Sequence, residues 1–126
     1  MQSPTSVALK VRLMMEKFPQ ASRIRKRKDF LTVYRKGKRY AGPTFAVYLL
    51  KRQQGRGRLG ISVPRRVGKA VVRNRVKRVI REYFRRHPEQ FEGLEVVIDV
   101  RPRPLQASKS LAEDLEKHIN EALQRV

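Results

Sequence analysis

Three stretches of the chain carry the apolar, β-branched and aromatic content of strands. Thr44 to Leu50 alternates, with Phe45, Val47 and Leu49 on one face and Thr44, Ala46 and Tyr48 on the other. We place Phe45 in the core with the first set. Arg58 to Val63 puts Leu59, Ile61 and Val63 on one face and Gly60 and Ser62 on the other. Leu94 to Val100 is the third strand, stopped by Arg101-Pro102-Arg103-Pro104 because proline cannot donate to a ladder. A turn over Gln53–Gly57 separates the first two strands, and the loop Pro64-Arg65-Arg66-Val67-Gly68 follows the second.

Helical spacing fills the intervals. Asp29 to Lys36 is a short helix in which Phe30 and Tyr34, four residues apart, share a face flanked by Leu31 and Val33, with Gly37 as its stop. A long helix runs from about Lys69 to Arg86, ended by Pro88. The last, about Leu111 to Leu123, opens on a Ser110-x-x-Glu113 capping box and keeps Leu111, Leu115, Ile119, Ala122 and Val126 in register. Helices and strands mix without a regular βαβα alternation, which predicts an α+β fold with a small sheet covered by helices. Residues 21–126 form one domain in this reading. Residues 1–20 are an N-terminal extension with a short amphipathic stretch, Val7 to Phe18, and Met14 or Met15 is an alternative start.

Charge changes the picture. Among 126 residues, 31 are Lys or Arg and 11 are Asp or Glu, a net charge of +20 with a pI near 11.5. A field of that size opposes compaction unless a polyanion relieves it, which points to nucleic acid or an anionic membrane surface. Hydrophobic residues still make up 40% of the chain, so the charge rides on a foldable sequence. There is no cysteine, hence no disulfide or thiolate chemistry, and this fits a reducing compartment. His87 and His118 stand far apart, no acid–histidine cluster has metal-ligand spacing, and no run approaches the length of a membrane span.

The long helix concentrates the charge. At 100° per residue, Val72, Val76, Val79, Ile80 and Tyr83 share a stripe that faces the core. Arg73, Asn74, Lys77, Arg78, Arg81 and Arg85 spread over the opposite face. Glu82, the helix's one acid, can pair with Arg78 and Arg86, leaving Arg73, Lys77, Arg81 and Arg85 without a partner in the helix. A solvated face is the plain alternative, but a surface built for solubility mixes its signs. Here Arg23 to Lys28, Arg35 to Arg39 and Arg65-Arg66 are basic as well. Such a face suits phosphates, to which arginine offers a two-pronged donor. Phe30, Tyr34 and Tyr48 leave two readings open: a second core, or a surface on which single-stranded bases stack.

The segment from Ile61 to Glu82 joins a strand and a basic loop to Arg73-Asn74-Arg75, then Lys77-Arg78, then Arg81. It resembles the signature segment of the protein subunit of bacterial ribonuclease P, and the resemblance extends from about Arg23 to the last helix. Asp29-Phe30, Tyr34 and Gly37 look like that family's first helix, and Thr44 to Tyr48 like its first long strand. The resemblance implies a compact α/β sandwich in the order αβββαβα with a left-handed βαβ crossover. It implies a cytoplasmic ribonucleoprotein that removes the 5′ leader of precursor tRNA, with hydrolysis carried out by magnesium ions that the catalytic RNA holds. On this likeness the protein alone is inactive and binds no metal of its own, no membrane and no DNA. Its catalytic-RNA contacts are Arg73, Asn74, Arg75, Lys77, Arg78 and Arg81. Its leader cleft is Phe30, Tyr34, Lys36, Tyr48, Ser62, Arg65 and Arg66. The family often has Lys where this chain has Arg65 and Arg66, which keeps charge but changes hydrogen-bond geometry. The competing classes are a ribosomal or other structural RNA-binding protein, equally basic, and a self-sufficient nuclease, which would need metal-binding carboxylates.

Overall fold

The computed structural model describes residues 23–52, 57–102 and 108–125. The expected N-terminal extension and its amphipathic stretch, the alternative start, most of the Gln53–Gly57 turn, Arg103-Pro104 and Val126 lie outside the described residues. The elements run α1 (Arg27–Lys36), β1 (Lys38–Ala41), β2 (Phe45–Lys51), β3 (Arg58–Ser62), α2 (Ala70–Arg86), β4 (Leu94–Val100) and α3 (Ser108–Gln124). Short 3-10 turns at Arg65–Val67 and Pro88–Phe91 flank α2. The order is αβββαβα and the class α+β.

The four strands form one sheet in the order β1-β2-β4-β3. β1 pairs antiparallel with β2, and β2 with β4, while β3 lies parallel to β4 and is joined to it through α2. β1 is the strand that residue patterning missed. Lys38-Arg39-Tyr40-Ala41 is charged and short, as suits an edge strand paired on one side alone.

The sheet has two unlike faces. Phe45, Val47 and Leu49 of β2, Leu59 of β3 and Leu94, Val96, Ile98 and Val100 of β4 pack with Val76, Ile80 and Phe84 of α2 and Leu111, Leu115, Ile119 and Ala122 of α3. The expected parities therefore hold on this side. Phe84 extends the predicted stripe by one turn and stacks on Phe91, ring centroids 4.4 Å apart. The other face is thinner: Val33 of α1, Ile24 and Val97 form a small cluster against which Phe30, Tyr34, Tyr48 and Leu50 lean. Thus α1 covers one side of the sheet, and α2 with α3 the other.

Two local expectations fail. α3 begins at Ser108, so Ser110 stands within the helix and not ahead of its first turn. Glu82 pairs with Arg86 as expected, but its other partner is Arg85 and not Arg78. A glutamate preceding its basic partner is the favourable order on a helix, because side chains lean towards the N-terminus. Arg85 is thereby neutralised rather than left unpaired.

Ile80 is 1% exposed on the core side of α2 and Val71 79% exposed on its rim. Ile80→Ala should lower unfolding free energy by about 2–5 kcal/mol, whereas Val71→Ala should change it by less than about 0.5 kcal/mol. Urea denaturation of the two variants measures both.

Candidate nucleic-acid interface

The cleft between α1 and the sheet is built from neighbouring rows of cross-strand partners. One row runs Arg39, Tyr48, Val97, Gly60, and the next Ala41, Ala46, Asp99, Ser62. Partners on adjacent strands point to the same side, so these rows pave the face beneath α1. Gly60 is required there. A Cβ at this position would stand 2.7 Å from the Phe30 ring, so only glycine lets Phe30 lie on the sheet.

Tyr34 meets Tyr48 edge to face, centroids 4.8 Å apart, and Phe30 sits 6.3 Å from Tyr34. The Tyr34 hydroxyl donates to Asp99 Oδ1 at 2.6 Å, and Arg39 Nε donates to the Tyr48 hydroxyl at 3.0 Å. All three rings are part-buried, which combines the two readings the sequence left open: they are a thin core underneath and an exposed aromatic surface above. Arg58 ties the helix down, bonding Asp29 of α1 at 3.1 Å and Glu95 of β4 at 2.8 Å.

The structure brings Phe30, Tyr34 and Tyr48 together, with Ser62 beside Asp99 on the neighbouring strand. Lys36, in the last turn of α1, and Arg65 and Arg66, in the turn after β3, are exposed and stand outside the ring cluster. Sequence reasoning missed Arg39 and Asp99. The signal for Asp99 was a carboxylate in a central apolar strand. Arg39 became legible only through the pairing that sets it opposite Tyr48.

Burial pushes the Asp99 carboxyl above its ordinary value, opposed by the Tyr34 hydrogen bond and the Arg39 charge. The Tyr34 phenol is raised by burial first and then by that carboxylate, so it keeps its proton and donates. Among the described residues no group of three His, Asp or Glu side chains could hold a metal ion.

On α2, Asn74, Arg75, Arg78 and Arg81 are exposed, while Arg73 and Lys77 are half-buried. Arg73 Nε donates to the Gly68 carbonyl at 3.2 Å, anchoring the basic turn to the helix. Burial and the neighbouring Arg23 both lower the Arg81 guanidinium from its ordinary value, which marks two like charges held close.

A two-faced sheet with an aromatic, basic-rimmed cleft on one side and an arginine-rich helix on the other defines an RNA-binding α+β module. A family model described as ribonuclease P matches residues 18–126. The chain belongs to that family, as its protein component. It is 47% identical over 87 residues to the ribonuclease P protein component of Dictyoglomus turgidum, covering 68% of this chain and 72% of that one. Against the Staphylococcus haemolyticus protein the figures are 44% over 82 residues, 65% and 72%. Among solved structures, a Staphylococcus aureus RNase P protein mutant with defective mRNA degradation activity matches with TM-score 0.78 at 33% identity, over 90% of this chain and 96% of that one. The Thermotoga maritima RNase P protein matches with TM-score 0.63 at 34% identity, over 82% and 96%.

The fold holds the Asp99 proton more tightly than the unfolded chain does. This group therefore contributes most stability below its ordinary pKa of 3.8 and loses that contribution as pH rises through the raised value. Asp99→Asn should flatten the pH dependence of stability just above that point, as read from denaturation curves across acidic pH.

Proposed function

We propose that the chain serves ribonuclease P by holding two RNAs at once. The enzyme's RNA subunit lies along Arg73, Asn74, Arg75, Lys77, Arg78 and Arg81 of α2. The single-stranded 5′ leader of precursor tRNA lies in the cleft of Phe30, Tyr34, Lys36, Tyr48, Ser62, Arg65 and Arg66. The observation that carries this reading is the placement of α1 and α2 on opposite faces of the sheet. A polyanion neutralising α2 leaves the rings free for a second strand.

The chemistry in this reading belongs to the RNA subunit, and the protein contributes binding energy. In this reading the magnesium ions are held by the RNA, and no step of the protein's part runs through them. Phosphate neutralisation lets two polyanions approach. Stacking of leader bases on the rings is worth about 1–3 kcal/mol per base. This favours precursor over mature tRNA, because the mature product has no leader. No described helix is long and apolar enough to cross a membrane, and the bacterial cytoplasm is the setting proposed.

Tyr34→Ala should weaken binding of precursor tRNA about 5- to 100-fold and leave mature tRNA nearly unchanged, as measured by paired equilibrium titrations of the holoenzyme. Equal losses for both would remove the cleft assignment. Affinity for the RNA subunit should fall steeply with salt. Arg78→Ala combined with Arg81→Ala should reduce the slope of log K against log salt by about 2, roughly 1 per lost phosphate contact. An unchanged slope would take α2 out of the interface. A structural RNA-binding protein, unlike this one, would not stimulate leader cleavage at low magnesium.

A further inference from the structure

Every side chain that the proposed cleft borrows from the family likeness is aromatic, cationic or neutral, yet the middle of its floor is a carboxylate. Asp99 stands at the centre of the sheet between Ala46 and Ser62, its direct partners on β2 and β3. Both neighbours are small, so the carboxylate is not overgrown by its own row. An open groove of about 480 Å³ reaches it, bounded by Arg39, Pro43, Ala46, Tyr48, Val100 and Arg101. One oxygen is fixed, since Oδ1 accepts from the Tyr34 hydroxyl at 2.6 Å. Among the described residues the structure gives Oδ2 no donor.

A fixed carboxylate in a basic cleft does two things to single-stranded RNA. It repels phosphate, so the backbone keeps to the rim where Lys36, Arg65 and Arg66 stand, and bases turn inward. It also accepts hydrogen bonds and donates none. Adenine, cytosine and guanine each carry an exocyclic amine that can donate. Uracil has one ring N–H set between two carbonyl oxygens, which a carboxylate repels. Glutamate and aspartate accept from such amines in nucleic-acid readout, and the flanking Tyr34 and Tyr48 rings would hold the base plane beside the acceptor.

We propose that Asp99 is a specificity-determining residue of the cleft: its Oδ2 accepts a hydrogen bond from the amine of one leader base and disfavours uracil at that position. The Tyr34 hydroxyl acts as a positioning group, holding the carboxylate in one orientation. This inference rests on the leader cleft proposed above and adds a base preference to it.

The test uses the holoenzyme, full chain with ribonuclease P RNA, and precursor tRNAs that differ by one leader nucleotide, with all four bases placed at each leader position in turn. The native protein should bind uracil about tenfold more weakly than the amine-bearing bases at one position. Asp99→Asn, whose amide can donate as well as accept, should bring that ratio to within about twofold. It should also raise affinity for all leaders, because a negative charge leaves a basic groove. Tyr34→Phe should blunt the ratio while keeping ring stacking, because it removes the hydroxyl that orients the carboxylate and leaves Asp99 itself in place. An unchanged uracil ratio in Asp99→Asn, or no base preference at any position in the native protein, overturns the role of Asp99. If Tyr34→Ala still separates precursor from mature tRNA in that event, the cleft itself stands. If it does not, the cleft reading has failed with it.

Discussion

The architecture turns on the two-residue period of β4. This strand is hydrogen-bonded on both edges, antiparallel to β2 and parallel to β3, so its register is fixed from two sides. Leu94, Val96, Ile98 and Val100 enter the main core beneath α2 and α3. Glu95, Val97 and Asp99 point the other way, and each holds α1 or its flank by a different interaction. Glu95 does so through the Arg58 bridge to Asp29, Val97 through apolar contact with Val33 and Ile24, and Asp99 through the Tyr34 hydroxyl. A shift of one residue would exchange core for cleft along the whole strand. The same seven residues that close the hydrophobic core therefore set how α1 sits above the rings.

Alternation made one face legible from sequence and left the other ambiguous. Phe45, Val47 and Leu49 could be assigned to the core because nothing polar interrupts them. Tyr34 and Tyr48 could not be settled by spacing, because the structure uses them in both ways at once, buried at one edge and open at the other. Their role depends on Gly60, whose missing side chain lets Phe30 approach, and on Asp99. That contact joins residues 65 apart in the chain. Neither is visible to a local pattern. β1 escaped for a related reason: an edge strand rich in Lys and Arg carries the residues that discourage further pairing, and these read locally as a basic linker. The partner of Glu82 was a near miss. Both candidate positions lie within reach along the helix, and the direction of side-chain lean decides between them.

Charge distribution along α2 gives the strongest physical reason for a polyanion on that face. The C-terminal half is partly compensated. Glu82 engages Arg85 and Arg86, and Glu113 and Glu116 of α3 line a shared groove with Arg78 and Arg86. The N-terminal half holds no acidic residue of its own. Lys69 at the cap makes no side-chain capping bond, and the first turn holds no acid. Arg73 and Arg75 follow at once, where the helix macrodipole is positive and favours acidic groups. Arg73 and Lys77 stand four apart, where like charges cost a few tenths of a kcal/mol per pair, and the dipole adds to that. A chain selected for stability alone would place Asp or Glu there, as α1 does with Asp29 in its first turn. The unpaired backbone N–H groups of a helix start, the dipole and two guanidinium groups all favour the same ligand, an oxyanion. A phosphate backbone laid across this end of α2 reverses the sign of every one of these costs, whereas a solvated surface reverses none of them.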